Sequence, residues 1–258
     1  MDTVFDKETA VEHLGGGRYA ASASERWGAY VGPNGGYLAA VFLNAFADMV
    51  HDPARRVRSI SLQYLEPPAF GAFEVHVNVE RAGRSMTSLS GRLVQGGRAK
   101  ALAIAAFSGD RASPSFHDAV MPVVPPPPTG AVRGDARLEI TQVLGSVPQS
   151  GGPADFGAWI RLDEPRPLDP LLAAVYVDGW FPAMSLRVAR PVAAPTVDLT
   201  IHFRQHLPPA GIPPESRYFL RLTSRVAQEG FVEEDAELWS PDGTLLVQSR
   251  QLEVVLRA

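Results

Sequence analysis

The sequence predicts an α+β fold made of two tandem halves, each an antiparallel sheet wrapped around one central buried helix. Three observations predict it. The stretch Thr196-Val197-Asp198-Leu199-Thr200-Ile201-His202-Phe203 alternates strictly, with Leu199, Ile201 and Phe203 on one side of a strand and Asp198, Thr200 and His202 on the other. Residues 58–64 repeat the alternation, with Ile60, Leu62 and Tyr64 apolar and Ser59 where the later copy has Asp198. Each copy is followed by further strand-like runs, at 73–79, 86–94 and 99–107 in the first case and 218–225, 231–239 and 244–256 in the second. Such self-similarity is the mark of an internal duplication.

Taken in order, residues 19–23 and 27–31 read as edge strands leading into the fold, separated from the start by the turn Gly15-Gly16-Gly17. That turn lacks the lysine and spacing of a phosphate loop. Gly32-Pro33-Asn34-Gly35-Gly36 is a turn cluster, and residues 37–50 after it read as a helix that is apolar nearly all round and therefore buried. Asn34 is its N-cap, and Gly35-Gly36 allow another backbone or a ligand to approach closely. The strands of the first half follow, with turns at 81–84 and 95–98. The first half is assigned to residues 1–110, a Pro-rich linker of polyproline II conformation to 111–135, and the second half to 136–258. In the second half, 155–162 reads as a strand, and 169–180 as the counterpart buried helix with Asp169 as N-cap and Pro170 in its first turn.

Composition narrows the function. With 24 basic and 28 acidic residues, a net charge of −4 and 45% apolar residues among 258, the chain reads as an ordinary globular protein and gives no support to nucleic-acid binding. Cysteine is absent, which removes disulfides, thiolate metal sites and a Cys nucleophile together and accords with a cytoplasmic location. The acidic start Met1-Asp2-Thr3-Val4-Phe5-Asp6 lacks the order of a signal peptide, and no apolar run is long enough for a membrane span. No Gly-x-Ser-x-Gly elbow occurs. His202 and His206 are four apart, but on a strand and without a third ligand, so no metal site is expected.

A twice-built helix and sheet in about 260 residues resembles the double hot-dog proteins. Gly35-Gly36 opening the first helix, residues 59–65 before a Pro-rich turn, and the Val197–Phe203 stretch resemble the type II acyl-CoA thioesterases. The resemblance covers essentially the whole chain. It implies hydrolysis of an acyl-CoA to free acid and CoA, in fatty-acid and lipid metabolism, with no cofactor. It also implies an Asp, a hydroxyl residue and a Gln from the second half as the catalytic set. On this sequence Asp198 matches the Asp, Thr223 the hydroxyl (Ser224 its alternative), and Gln251 the Gln (Gln248 its alternative). Leu199 and His202 depart from the His and the aromatic residue that family members often carry there.

The chemistry is consistent with these residue types. A carboxylate can orient a water and take its proton, while a hydroxyl and an amide hold that water in line. Backbone N–H groups of Gly36 or Tyr37, at a helix start, are the expected oxyanion and substrate-binding donors. The first half offers Ser59 and Ala105 where the second has Asp198 and Gln251, so it lacks the polar set. Two alternatives stand beside this reading: a non-catalytic acyl-CoA-binding protein, and a hot-dog enoyl-CoA hydratase using Asp198 and His202. Sheet edges and backs in this architecture lead to the expectation of a homo-oligomer.

Overall fold

The computed structural model describes residues 3–129 and 137–256. A short helix α1 (Val4–Glu8) precedes strands β1 (Glu12–Gly15) and β2 (Arg18–Ala23), helix α2 (Gly35–Val50), and strands β3 (Arg56–Tyr64), β4 (Gly71–Ala82), β5 (Met86–Gln95) and β6 (Arg98–Ser108). The second half holds β7 (Leu138–Leu144), β8 (Asp155–Leu162), helix α3 (Pro170–Tyr176), β9 (Thr196–Phe203), β10 (Tyr218–Thr223), β11 (Ala227–Gln228), β12 (Phe231–Trp239) and β13 (Leu245–Val254). The strand order of the first half is β1-β2-β4-β5-β6-β3, and that of the second, read from its far edge, is β7-β8-β10-β12-β13-β9. The two orders are the same, which makes the double hot-dog a true internal repeat.

The halves join edge to edge. Strands β3 and β9 pair antiparallel, with Ile60 opposite Ile201 and Ser61 opposite Thr200. Ser61 and Thr200 stand two residues after Ser59 and Asp198, so the pair lies on the pseudo-twofold axis; the Thr200 hydroxyl donates to that of Ser61 at 3.0 Å. These thirteen strands therefore form one continuous sheet, curled around α2 and α3. The segment 111–129 has no regular structure but is not free: the Trp159 indole N–H donates to Pro125 O and Arg217 to Pro128 O. It lies over an outer apolar cluster of Trp159, Phe219, Trp239 and Leu245. The start of the second half, near residue 136, lies outside the described residues.

Helix α2 is buried along its length from Gly36 to Leu43, and the Asn34 side chain caps it by accepting from Tyr37 N at 2.9 Å. Two expectations need correction. Residues 27–31 form no strand; a 3-10 turn at Glu25–Trp27 turns the Trp27 ring inward to stack on Tyr37 at 5.3 Å, and the chain beyond becomes a loop. Helix α3, capped by Asp169 as expected, stops at Tyr176 rather than running to 180. Asp178 is drawn out of the helical path towards the first half.

That approach depends on Gly36. A methyl group there would collide with the Ala174 carbonyl oxygen and stand 2.9 Å from Asp178 Cβ. Gly36→Ala is expected to lower unfolding stability by about 1–3 kcal/mol through overpacking, read as a fall in the urea midpoint at unchanged m-value.

Candidate active site

Asp178 is the centre of a polar cluster inside an otherwise apolar molecule. Its Oδ2 accepts from Gly36 N at 2.7 Å and from Asn34 Nδ2 at 2.8 Å, and Gly35 N and the Gln251 side chain lie near enough to favour its ionised form. A carboxylate at a helix N-terminus meets unpaired N–H groups and a favourable dipole. Part of its surface opens to a cleft, but the packing around it removes most hydration, and this desolvation outweighs the donors and raises its pKa to about 6.

Gln251, close to Asp178, links two further side chains. Its Nε2 donates to Glu234 Oε1 at 2.9 Å, and its Oε1 accepts from the Thr196 hydroxyl at 3.0 Å. Glu234 also accepts from Ala183 N. Strand register explains the grouping. Gln251 is opposite Leu199 on β9 and Glu234 on β12, all facing the helices, while Glu253 is opposite Thr196. Between Thr196 and Asp198 the register slips by one residue, so Val197 bulges. Without the bulge, Thr196 would share the outer face with Asp198 and Thr200; with it, Thr196 turns inward to Gln251. Burial pushes the pKa of Glu234 and of Glu253 up; Asp178 adds to the effect on both, joined by Glu233 at Glu234 and by Glu234 at Glu253.

The cluster opens on a cleft of about 430 Å³ lined by Asn34, Gly35, Asp178, Thr196 and Glu253 on its polar side and by apolar groups including Leu38, Trp180 and Val197. Tyr30 and Phe181, with rings 6.1 Å apart, stand half exposed beside it.

Of the residues expected from sequence, the structure brings Gln251, Gly36 and Tyr37 to this region and leaves Asp198 and Thr223 apart. Asp198 is opposite Leu252 and Gln63 on the outer face. Thr223 lines a separate outer groove with His202, Arg221 and Arg250. Asp198 and His202 face away from the helices, so the pair expected of a hydratase does not reach the cleft. Gln248 and Ser224 do not reach it either: Gln248 lines that same outer groove and accepts from Arg204, and Ser224 N donates to Ala154 O beyond the end of β10. The N–H groups of Gly36 and Tyr37 are committed to Asp178 and to Asn34, and neither is free for an oxyanion.

Sequence reasoning missed Asp178, Thr196, Glu234 and Glu253. Strand parity carries a signal for three of them. Glu234 shares a face with the buried Val232, Ala236 and Leu238, and Glu253 with Val247 and Gln251. Asp178 ends an apolar helix. Thr196 left no trace, because a bulge is invisible in the alternation. Among the described residues no His, Asp and Glu grouping is suited to a metal ion.

Comparison with known proteins agrees with this architecture. Residues 23–108 match the model of the acyl-CoA thioesterase N-terminal domain, and residues 117–255 that of the acyl-CoA thioesterase C-terminal domain. A hot-dog-fold protein of unknown function from Alicyclobacillus acidocaldarius is 26% identical, with 100% of both chains covered and a TM-score of 0.86. An acyl-CoA thioesterase II, TesB2, from Mycobacterium marinum is 21% identical, with 99% of both chains covered and a TM-score of 0.80. Among curated proteins none matches. Two domain models in tandem, laid over two halves of identical strand order that share one sheet, place this chain in the acyl-CoA thioesterase family.

Proposed function

We propose that the protein hydrolyses an acyl-CoA thioester, with Asp178, Thr196 and Gln251 activating the water. The observation that supports this most is the meeting of Asp178 and Thr196 on the wall of the cleft, with the Thr196 hydroxyl oriented by its hydrogen bond to Gln251. The Thr196 proton is committed to Gln251, so its oxygen is left as an acceptor. Asp178 is an acceptor as well. A water between them would donate one hydrogen to each and turn a lone pair to the thioester carbonyl. Asp178 takes the proton as the carbon–oxygen bond forms, and the thiolate of CoA leaves when the tetrahedral intermediate collapses. Gln251 does not titrate; it fixes the Thr196 hydroxyl, while Gly36 N and Asn34 fix Asp178. The apolar lining suits the acyl group, while the charged part of CoA stays at the surface.

This assignment replaces Asp198 and Thr223 by Asp178 and Thr196 and keeps Gln251. It is tested by release of free CoA from a panel of acyl-CoAs. Asp178→Asn is expected to lower kcat about 10²–10⁴-fold, the range for loss of a general base. Asp198→Asn and Thr223→Val, as substitutions on the outer face, are expected to stay within about twofold of wild type. The reverse pattern would move the site to the outer face. Binding of acyl-CoA with no turnover in any variant would favour the non-catalytic alternative.

The same assay gives a pH test. Asp178 acts as a base only when ionised, and its pKa is raised to about 6. Below that value kcat/KM is expected to fall about tenfold per pH unit, and above it to level off. A limb centred near 4 would indicate a carboxylate in contact with bulk water.

A further inference from the structure

The polar cluster contains one acid that the water-activating chain does not use. Glu253 is 2% exposed and lines the cleft beside Thr196. Its Oε2 is sealed from solvent and has no hydrogen-bond partner. Asp178 and Glu234, by contrast, both receive donors.

Three inward carboxyls this close cannot all ionise. The negative charge settles on Asp178, which accepts from Gly36 N and Asn34 and, unlike Glu234, is only partly buried. The groups facing Glu253 are Glu234 from β12, Asp178 after α3 and Tyr30 from the loop before α2; none is a cation. Tyr64 and Glu66 also line the cleft, and Glu66 is paired with Lys100. Burial and these neighbours keep the Glu253 proton in place, so the residue presents a neutral carboxyl at the cleft.

The fold does not require an acid at this place. In the first half the equivalent of Thr196 is Val57, and the residue opposite it is the buried Phe107. An apolar side chain fills that position. The reaction does require a donor there. The N–H groups that open α2 are spent on Asp178 and Asn34, so the thioester carbonyl oxygen needs a donor from another wall of the cleft.

We propose that Glu253 is a further catalytic residue, whose carboxyl O–H donates a hydrogen bond to the thioester carbonyl oxygen as negative charge gathers on it. The inference rests on the thioesterase reading. A neutral acid kept in an apolar site to serve as donor is a known solution to the same electrostatic need.

The test uses the full chain with Glu253→Gln and Glu253→Leu. It reads kcat, KM, the pH profile and the urea midpoint. It also reads binding of two stable analogues, a ketone with CH₂ in place of sulfur and a thioether with CH₂ in place of the carbonyl. Glu253→Leu is expected to lower kcat about 10²–10³-fold, with little change in KM and an equal or higher urea midpoint. Glu253→Gln, which keeps an N–H donor, is expected to stay within about tenfold of wild type and to lack the fall in rate expected of wild type beyond the neutral plateau, where the Glu253 proton leaves. Wild type should bind the ketone more tightly than the thioether, and Glu253→Leu should abolish the difference. A Glu253→Leu enzyme within twofold of wild type, or one that still prefers the ketone, would overturn the inference while leaving Asp178 untouched. Lack of turnover in wild type would sink the thioesterase reading instead, and the ketone preference would still decide whether Glu253 holds a carbonyl.

Discussion

The contact between the Asp178 carboxylate and the N-terminus of α2 is the constraint that the rest of the structure meets. The carboxylate belongs to one half and the donors to the other. To bring them together, α3 must end early, Gly36 must lack a side chain, and Asn34 must serve two purposes, capping α2 through its oxygen and holding Asp178 through its nitrogen. A charge in an apolar setting is costly unless hydrogen-bonded. The donors lower that cost enough for Asp178 to ionise near neutrality, and leave it basic enough to accept a proton.

The two halves share geometry and differ in chemistry. The bulge that turns Thr196 inward has a twin: on β3 the register slips at Arg58, and Val57 turns inward in the same way. Position by position, Thr196, Glu234, Gln251 and Glu253 correspond to Val57, Leu89, Ala105 and Phe107 of the first half. All four of the latter are buried apolar residues. The corresponding cavity is smaller, about 180 Å³, and lined mainly by apolar side chains such as Leu43, Val57, Phe107 and Leu171. The same backbone supports a polar cluster in one half and a packed core in the other, so the polar residues serve no common structural need.

Much of this was legible in the sequence, and the parts that were not have a physical reason. Period-two alternation exposed the strands, and continuous apolarity exposed α2, because both follow directly from which side is buried. The duplication was legible because Ser59 and Asp198 sit in equivalent surroundings. The absence of a polar set from the first half, with Ala105 in the place of Gln251, was legible for the same reason. The residues expected from sequence part from the cleft at two points. Asp198 matches the family's Asp by resemblance, and the alternation carries no sign of the bulge at Val197 that turns Thr196, not Asp198, toward Gln251. Asp178 was read as one more residue of a helix, since its partners lie over a hundred residues away and leave no local pattern. The β7 strand, on the far edge of the sheet, carries little apolar periodicity and was also missed.

The pairing of β3 with β9 has a consequence for how the chain can be divided. A linker between two repeats invites the idea of separable modules. Cutting within residues 111–129 would instead leave β3 and β9 as bare edges, each with a row of unmet N–H and C=O groups and with Ile60 or Ile201 newly exposed at the seam. Such edges recruit any strand on offer, including a second copy of themselves. Each fragment would therefore be driven to self-association, and neither would retain both the carboxylate and the helix start that holds it. The unit of inheritance here is the half, but the unit of folding is the pair.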